Sequence, residues 1–408
     1  MRKKLLVLTA LIGASLALGF ANFSRASAAT ASVATFTQLQ SAVAAAASGD
    51  TIQLTANIDA TAQIRVPDGI NLTINGSGFT VSRDPSLTTY IFATVNSNVS
   101  YENLTIDGEN VASTQHCLIA NPTSGQYSVS LNNVTVENCT SSANGAGVYI
   151  ASSANISSVN ITNSKFQNNS ATTVKNGGAL YISAANSTIS GSIFTNNTAT
   201  SSGGAIEYAG GGNNVITGSK FSENTASGST ASLKSSGGAL VVFSEPTATK
   251  LAISNSSFAN NKADGDGGAI VAVLSTDSGA TFSEPNATNI TVDSSTTFSG
   301  NIAGNGSRQI ATSDVATYNS LVSATKFSNS YQYGWNNDDI AYTGGTSGAQ
   351  PAPTPVNPSP VKPSAPGAPS TGDANFSKFA LISGLIIIIT GATLAFAKIT
   401  KSTVRSQK

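Results

Sequence analysis

Two tetrads alternate through the middle of this chain, and no other feature limits its fold so strongly. Gly-Gly-Ala-aliphatic occurs at Gly177 to Leu180, Gly203 to Ile206, Gly237 to Leu240 and Gly267 to Ile270, with a looser copy from Gly145 to Val148. Phe-x-x-Asn interleaves with it at Phe166/Asn169, Phe194/Asn197, Phe221/Asn224, Phe258/Asn261 and Phe298/Asn301. Successive Gly-Gly pairs stand 26, 34 and 30 residues apart, so a constant core unit carries loops of varying length.

Ahead of each Phe a second pattern fixes the geometry. Ile161-Thr-Asn163-Ser-Lys-Phe166 matches the segments Ile189 to Phe194, Ile216 to Phe221 and Ile253 to Phe258. Tyr101 to Ile106 and Leu131 to Val136 keep the spacing with aliphatic residues in the Phe slot, and Val292 to Phe298 is one residue longer. Ile and Phe lie an odd number of residues apart, which on a straight strand would point them to opposite faces. Both are apolar, so the Asn or Gly two after the Ile must turn the chain, as residues that tolerate a left-handed backbone do. A short strand, a sharp corner and another short strand result. Such units stack as a parallel β-helix rising about 4.8 Å per coil, with Phe on Phe, Ile on Ile and Asn on Asn. The pattern predicts this solenoid over about 36–345.

A short amphipathic helix is predicted to cover the first coil's open edge. Thr37 and Gln40 have capping-box spacing, Leu39 and Val43 share a face, and Gly49 can end it. Gly49 to Leu54 then opens the first strand.

Of 408 residues only 10% are charged, which excludes a charge-driven disordered chain. One His and two Cys leave little for a metal cluster, and no cofactor is expected. Arg2, Lys3 and Lys4 before an apolar run from Leu5 to Ala21, then Ala26-Ser27-Ala28, read as a signal peptide over 1–28. Phe379 to Ala397 is an uncharged apolar stretch followed by Lys398, Lys401, Arg405 and Lys408. It is predicted to cross the membrane as a helix with a basic cytoplasmic tail, so 373–408 forms the anchor. Between about 29 and 371 there remain 11 basic and 19 acidic residues, a net charge of −8 that disfavours nucleic acid as a partner. The domain reading is therefore a β-helix over 29–350 and a Pro-rich stalk over 351–372.

Ala368-Pro369-Ser370-Thr371-Gly372, placed before the apolar stretch and basic tail, resembles the cell-wall sorting signal of Gram-positive-type surface proteins. Ala368 stands where the commonest form has Leu. The resemblance implies sortase as a partner, cleavage after Thr371 and linkage to peptidoglycan, with a plain membrane anchor as the alternative. The repeat itself resembles the right-handed β-helix, or pectate-lyase-like, superfamily, and its tetrads are similar to those of the chlamydial polymorphic membrane proteins. That resemblance covers about 36–345 and implies adhesion and surface display, with a host or neighbouring-cell glycan or protein as the partner.

The same superfamily contains polysaccharide-degrading enzymes, so acidic pairs matter. Asp264-Gly-Asp266 is a turn that can offer oxygen ligands to calcium, although a solvated turn is the plainer reading. Asp338/Asp339 follow Trp335, read as a terminal aromatic plug or a sugar platform. His116 lacks the Gly-His-Gly setting that resembles polygalacturonases, and Arg308 lacks an acidic cluster. No residue is nominated as catalytic. Cys117 and Cys139 are the two thiols of an exported chain, which favours a disulfide. Their slots argue otherwise: aligning Cys117 with Val148 puts it in the Gly-Gly-Ala tetrad, while Cys139 takes an Asn position. Two functions follow. A non-catalytic surface adhesin would make contact through its long sheet faces or the loops Ser227 to Ser236, Ser244 to Lys250 and Ser275 to Asn289. The alternative is a wall-anchored protein that binds or degrades polysaccharide.

Overall fold

The computed structural model describes residues 28–151, 154–183, 186–209, 212–228, 235–244, 249–274, 290–293, 295–304 and 338–342. They form nine coils whose strands stack into four sheets of ten, nine, seven and nine strands. One coil shows the order: Ile156–Thr162 lies in the long sheet and Lys165–Gln167 in the Phe sheet. Ser170–Ala171 lies in the short sheet and Leu180–Ile182 in the tetrad sheet. Each strand pairs in parallel with its counterpart one coil away, as in Phe166↔Phe194 and Leu180↔Ile206. The result is a parallel β-helix. Residues 1–27, the sorting motif 368–372, the stretch 379–397, Arg308, Trp335 and most of the three inserted loops lie outside the described residues. Among those described, no helix is long and apolar enough to cross a membrane.

The corners are where backbone chemistry decides the fold. Asn103, Asn133, Asn163 and Asn255 have φ between 48° and 54°, and Gly191 and Gly218 fill the same slot. These are the residues the Ile-to-Phe spacing requires to turn. The seventh, Ser294, lies outside the described residues. A further left-handed residue precedes each ladder Asn, at Asn168, Asn196, Glu223, Asn260 and Gly300, and separates the Phe sheet from the short sheet. The first Gly of each tetrad, such as Gly203 at φ 66°, turns the chain again. The second has a different cause: a β-carbon on Gly204 would collide with the Gly238 carbonyl of the next coil.

Two buried polar ladders run beside the stacked rings. Phe166, Phe194, Phe221, Phe258 and Phe298 lie 4.7 to 5.2 Å apart, centroid to centroid. Asn197 Nδ2 donates to Asn224 Oδ1 (2.9 Å) and to Phe166 O (3.0 Å). Its own Oδ1 accepts from Asn169 N and Asn169 Nδ2. All four hydrogen-bonding sites of the amide are filled, so burying it costs little. A serine ladder repeats the device: Ser164 N donates to Ser192 Oγ, and Ser192 N to Ser219 Oγ, both at 3.2 Å.

Three local expectations need correction. The helix spans Phe36–Ala45 with Thr35, not Thr37, as its N-cap. Thr35 Oγ1 accepts from Gln38 N, while Gln38 Oε1 accepts from Ala34 N. That start places Phe36 against the core with Leu39 and Val43, a stripe the later start would lose. The first strand is Thr30–Val33, which pairs with Thr51–Leu54 at the end of the long sheet. Cys117 lies one residue ahead of the aligned slot. Leu118, not Cys117, pairs with Val148, because a one-residue slip would turn Leu118 and Ala120 outward.

Cys117 and Cys139 are bonded, and the disulfide joins consecutive coils. Beside it Arg83 is buried, 2% exposed. It donates to the carbonyls of Leu87, Thr89 and His116 and lies 3.7 Å from Cys117 Sγ. Those bonds hold the 84–91 connection, where the early coils have no short-sheet strand. Burial lowers the guanidinium to about 10, so it stays charged at neutral pH.

Candidate functional site

The acidic residues singled out in the sequence have local duties. Asp264 Oδ2 accepts from Gly228 N, and Asp266 N donates to Ser236 Oγ. Among the described residues no group of three His, Cys, Asp or Glu side chains is placed to hold a metal. Asp338 and Asp339 return as the last tetrad-sheet turn. Asp339 Oδ1 accepts from Asn301 Nδ2, and Asp338 Oδ1 from Ala303 N. Both carboxylates therefore serve the last of the described coils.

Chemistry gathers on the outer side of the tetrad sheet, at a position one residue past each tetrad. Tyr149, Tyr181 and Glu207 stand in successive coils there, followed by Val241 and Val271. Tyr90, His116, Tyr149 and Tyr181 stack in a row, His116 and Tyr149 at 4.4 Å. The faces of His116 and Tyr149 are covered by their ring neighbours, so a sugar ring cannot lie on those two. His116 is buried with Nδ1 3.0 Å from Gly145 O, and desolvation lowers it to about 4, which keeps it neutral.

Glu207 was not legible as a candidate. It is 5% exposed, between the Tyr181 and Val241 rows, and its Oε2 has no hydrogen-bond partner. Burial pushes its carboxyl up to about 8, against smaller opposing effects of Asn176 and Lys175. It is thus a neutral acid at pH 7, the state in which a carboxyl can donate a proton. The signal was present: Glu207 follows Gly203 to Ile206 where the neighbouring copies carry Tyr181 and Val241. Just before Lys175 and Asn176 in the chain, Thr173 and Val174 both adopt φ near 60°, an uncommon conformation for β-branched residues.

The other feature is the outer face of the long sheet. Its strands bury every second side chain, as the Asn71–Asn75 and Asn98–Glu102 patterns show. The outward side chains form three columns in register. Thr73, Ser100, Ser130, Asn160, Thr188 and Val215 make the central column. Over these six coils, from Asn71 to Thr217, sixteen of eighteen outward positions are Ser, Thr or Asn, and Glu102 alone is charged. Neighbours bond along the columns: Asn98 Nδ2 donates to Asn71 Oδ1 (2.7 Å), and Thr162 Oγ1 to Asn132 Oδ1 (3.1 Å). The charges lie around the corner on the Phe sheet. There Asp107 leads the neighbours that raise the Glu109 carboxyl, and Lys165 and Lys220 face outward farther along.

Residues 191–207 and 255–273 match the Chlamydia polymorphic membrane protein repeat. Each match holds one Phe-x-x-Asn and one Gly-Gly-Ala-Ile, so both matched stretches carry a ladder Asn and a close-packed corner of this chain. No curated protein matches the chain. Among solved structures, a PL6 family alginate lyase, AlyGC, is similar with a TM-score of 0.42 and 14% identity. The likeness covers 68% of this chain and 38% of the lyase, so this chain spans well under half of that protein.

Proposed function

We propose that this chain is a cell-surface β-helix adhesin or display protein that works without catalysis. Residues 1–28 direct export, 351–372 form a stalk, and Thr371 is joined to peptidoglycan by a sortase. If that joining does not occur, 379–397 holds the chain in the membrane. The observation that carries the adhesive reading is the long sheet's outer face, six coils of uncharged hydroxyl and amide side chains in register. The polymorphic membrane protein repeat supports placement at a surface. A paired assay tests it: binding of the full chain to glycans and cell surfaces, beside a screen for soluble products from polysaccharides. Binding without product supports the adhesin.

A second reading rests on Glu207. A neutral carboxyl against an apolar neighbour is the arrangement of a general acid, and a polysaccharide-degrading protein would use it so. Product release abolished by Glu207→Gln would establish that reading in place of the first.

A further inference from the structure

We propose that the partner of the long sheet's outer face is an uncharged polysaccharide, lying as an extended chain across successive coils. The inference rests on the adhesin reading and adds the class of ligand to it.

The side chains exclude the other partners in turn. Nucleic acid and anionic glycans need Lys or Arg, and this face has none from Asn71 to Thr217. A cationic partner would find a single carboxylate, Glu102, while the acidic groups Asp59, Asp107 and Glu137 face outward from the adjacent sheet. Protein interfaces draw most of their affinity from Trp, Tyr and Arg anchors, and those residues are also missing from these eighteen positions. What the face offers is Ser and Thr hydroxyls and Asn amides, each able to donate and accept. A chain of sugar hydroxyls has the same mixed character and no charge to desolvate.

Geometry supplies the multiplicity. Coils repeat about every 4.8 Å, so six coils span roughly 24 Å, and neighbouring columns stand about 6.6 Å apart along the strand. Register shifts at Tyr127/Ser128 and is continuous from Ser128 onward, as Ser130↔Asn160 and Asn160↔Thr188 show, so in the central column one contact recurs at each coil. Single hydrogen bonds that trade with water are worth little, but a repeating ligand engages many at once. Asn160 and Thr188 stand at the middle of this array, and Asn160 is exposed.

The test uses the full chain and four solid-phase polymers: insoluble cellulose, chitin and β-1,3-glucan, with immobilised polygalacturonate as the charged control. Retention on at least one uncharged polymer is expected, unchanged by raising salt from about 0.05 to 0.5 M. Asn160→Lys with Thr188→Lys, and separately Asn160→Asp with Thr188→Glu, should each weaken retention at least tenfold with circular dichroism unchanged. Lys165→Ser with Lys220→Ser, on the adjacent sheet, should leave it intact. Retention on none of the uncharged polymers, equal retention by both array variants, or retention only on polygalacturonate and lost with salt overturns the inference. Attachment of cells displaying each variant separates the two levels. Array variants that still attach cells as the parent does sink this inference and leave the adhesin reading standing. A chain that gives cells no added attachment sinks the adhesin reading, whatever the polymers show.

Discussion

Asn301 Nδ2 donates to Asp339 Oδ1 at 2.9 Å, and among the described residues this bond ends the asparagine ladder. Asp339 occupies the Ala position of the tetrad, where Ala269 stands one coil earlier, so its carboxylate reaches inward to the amide below. It supplies the acceptor that every other ladder amide receives from the next Asn. Asp339→Asn should therefore be nearly neutral, because the amide oxygen accepts in the same place. Asp339→Leu should cost about 1 to 3 kcal/mol and fray the last coil first, leaving an orphaned buried donor. Hydrogen exchange of Ile302 and Ala303 compared with Phe221 measures both effects.

The ladder's interior is more sensitive. Asn224→Leu removes acceptors for Asn197 N and Nδ2 and the donor to Phe194 O. Asn261 Oδ1 loses a donor as well, so four buried groups each lose a partner and about 3 kcal/mol or more should be lost in denaturant unfolding, comparable to truncating Phe221 to Ala. A loss below about 1 kcal/mol would show that the ladder is not a principal support.

The Cys117–Cys139 disulfide closes a loop 22 residues apart, for which chain entropy suggests a stabilisation of about 3 kcal/mol. Reductant should lower the melting temperature of the parent and not of the Cys117→Ser/Cys139→Ser variant. Both sulfurs are buried, so alkylation should add mass only after reduction and unfolding together.

Glu207 and His116 make stability depend on pH in opposite directions. A carboxyl raised to about 8 from 4.5 binds its proton more tightly when folded. Its contribution is full below about 4.5 and is lost as pH rises through about 8. His116, lowered to about 4 from 6.5, contributes fully above 6.5 and loses that contribution as pH falls through about 4. The two offset one another in between, and above 6.5 Glu207 acts alone. Stability should therefore fall from pH 6.5 to 8 by up to about 1.4 kcal/mol per unit. Glu207→Gln should flatten that limb while leaving the acid limb of His116 unchanged.

Much of the fold was legible because steric necessity fixes it. An odd Ile-to-Phe offset cannot be met without a corner, and only Asn or Gly turns there at little cost, so Asn163 and Gly191 announced their geometry. The ladders followed because Asn169 and Asn197 recur in one slot. The serine ladder was less visible, since Ser164 and Ser192 resemble the surface serines around them until their Oγ atoms are seen accepting from the coil beneath. Cys117 was misplaced by one residue because its coil lacks the Gly-Gly pair that marks the slot elsewhere. Glu207 escaped for a different reason. Its place after Gly203 to Ile206 marked it as the odd residue of its column, but its chemistry comes from burial, which that place alone does not announce.

Anchoring is tested at one residue. If Thr371 is the acyl donor to the wall, Thr371→Ala should move the chain from the wall fraction to the membrane fraction. Equal wall attachment would mean that no sortase acts at this site.

The most direct test of the central claim is attachment of cells displaying the full chain, measured under flow beside cells without it, while the medium is assayed for released sugar. The account predicts chain-dependent attachment and no sugar release. Steady sugar release without added attachment would contradict it.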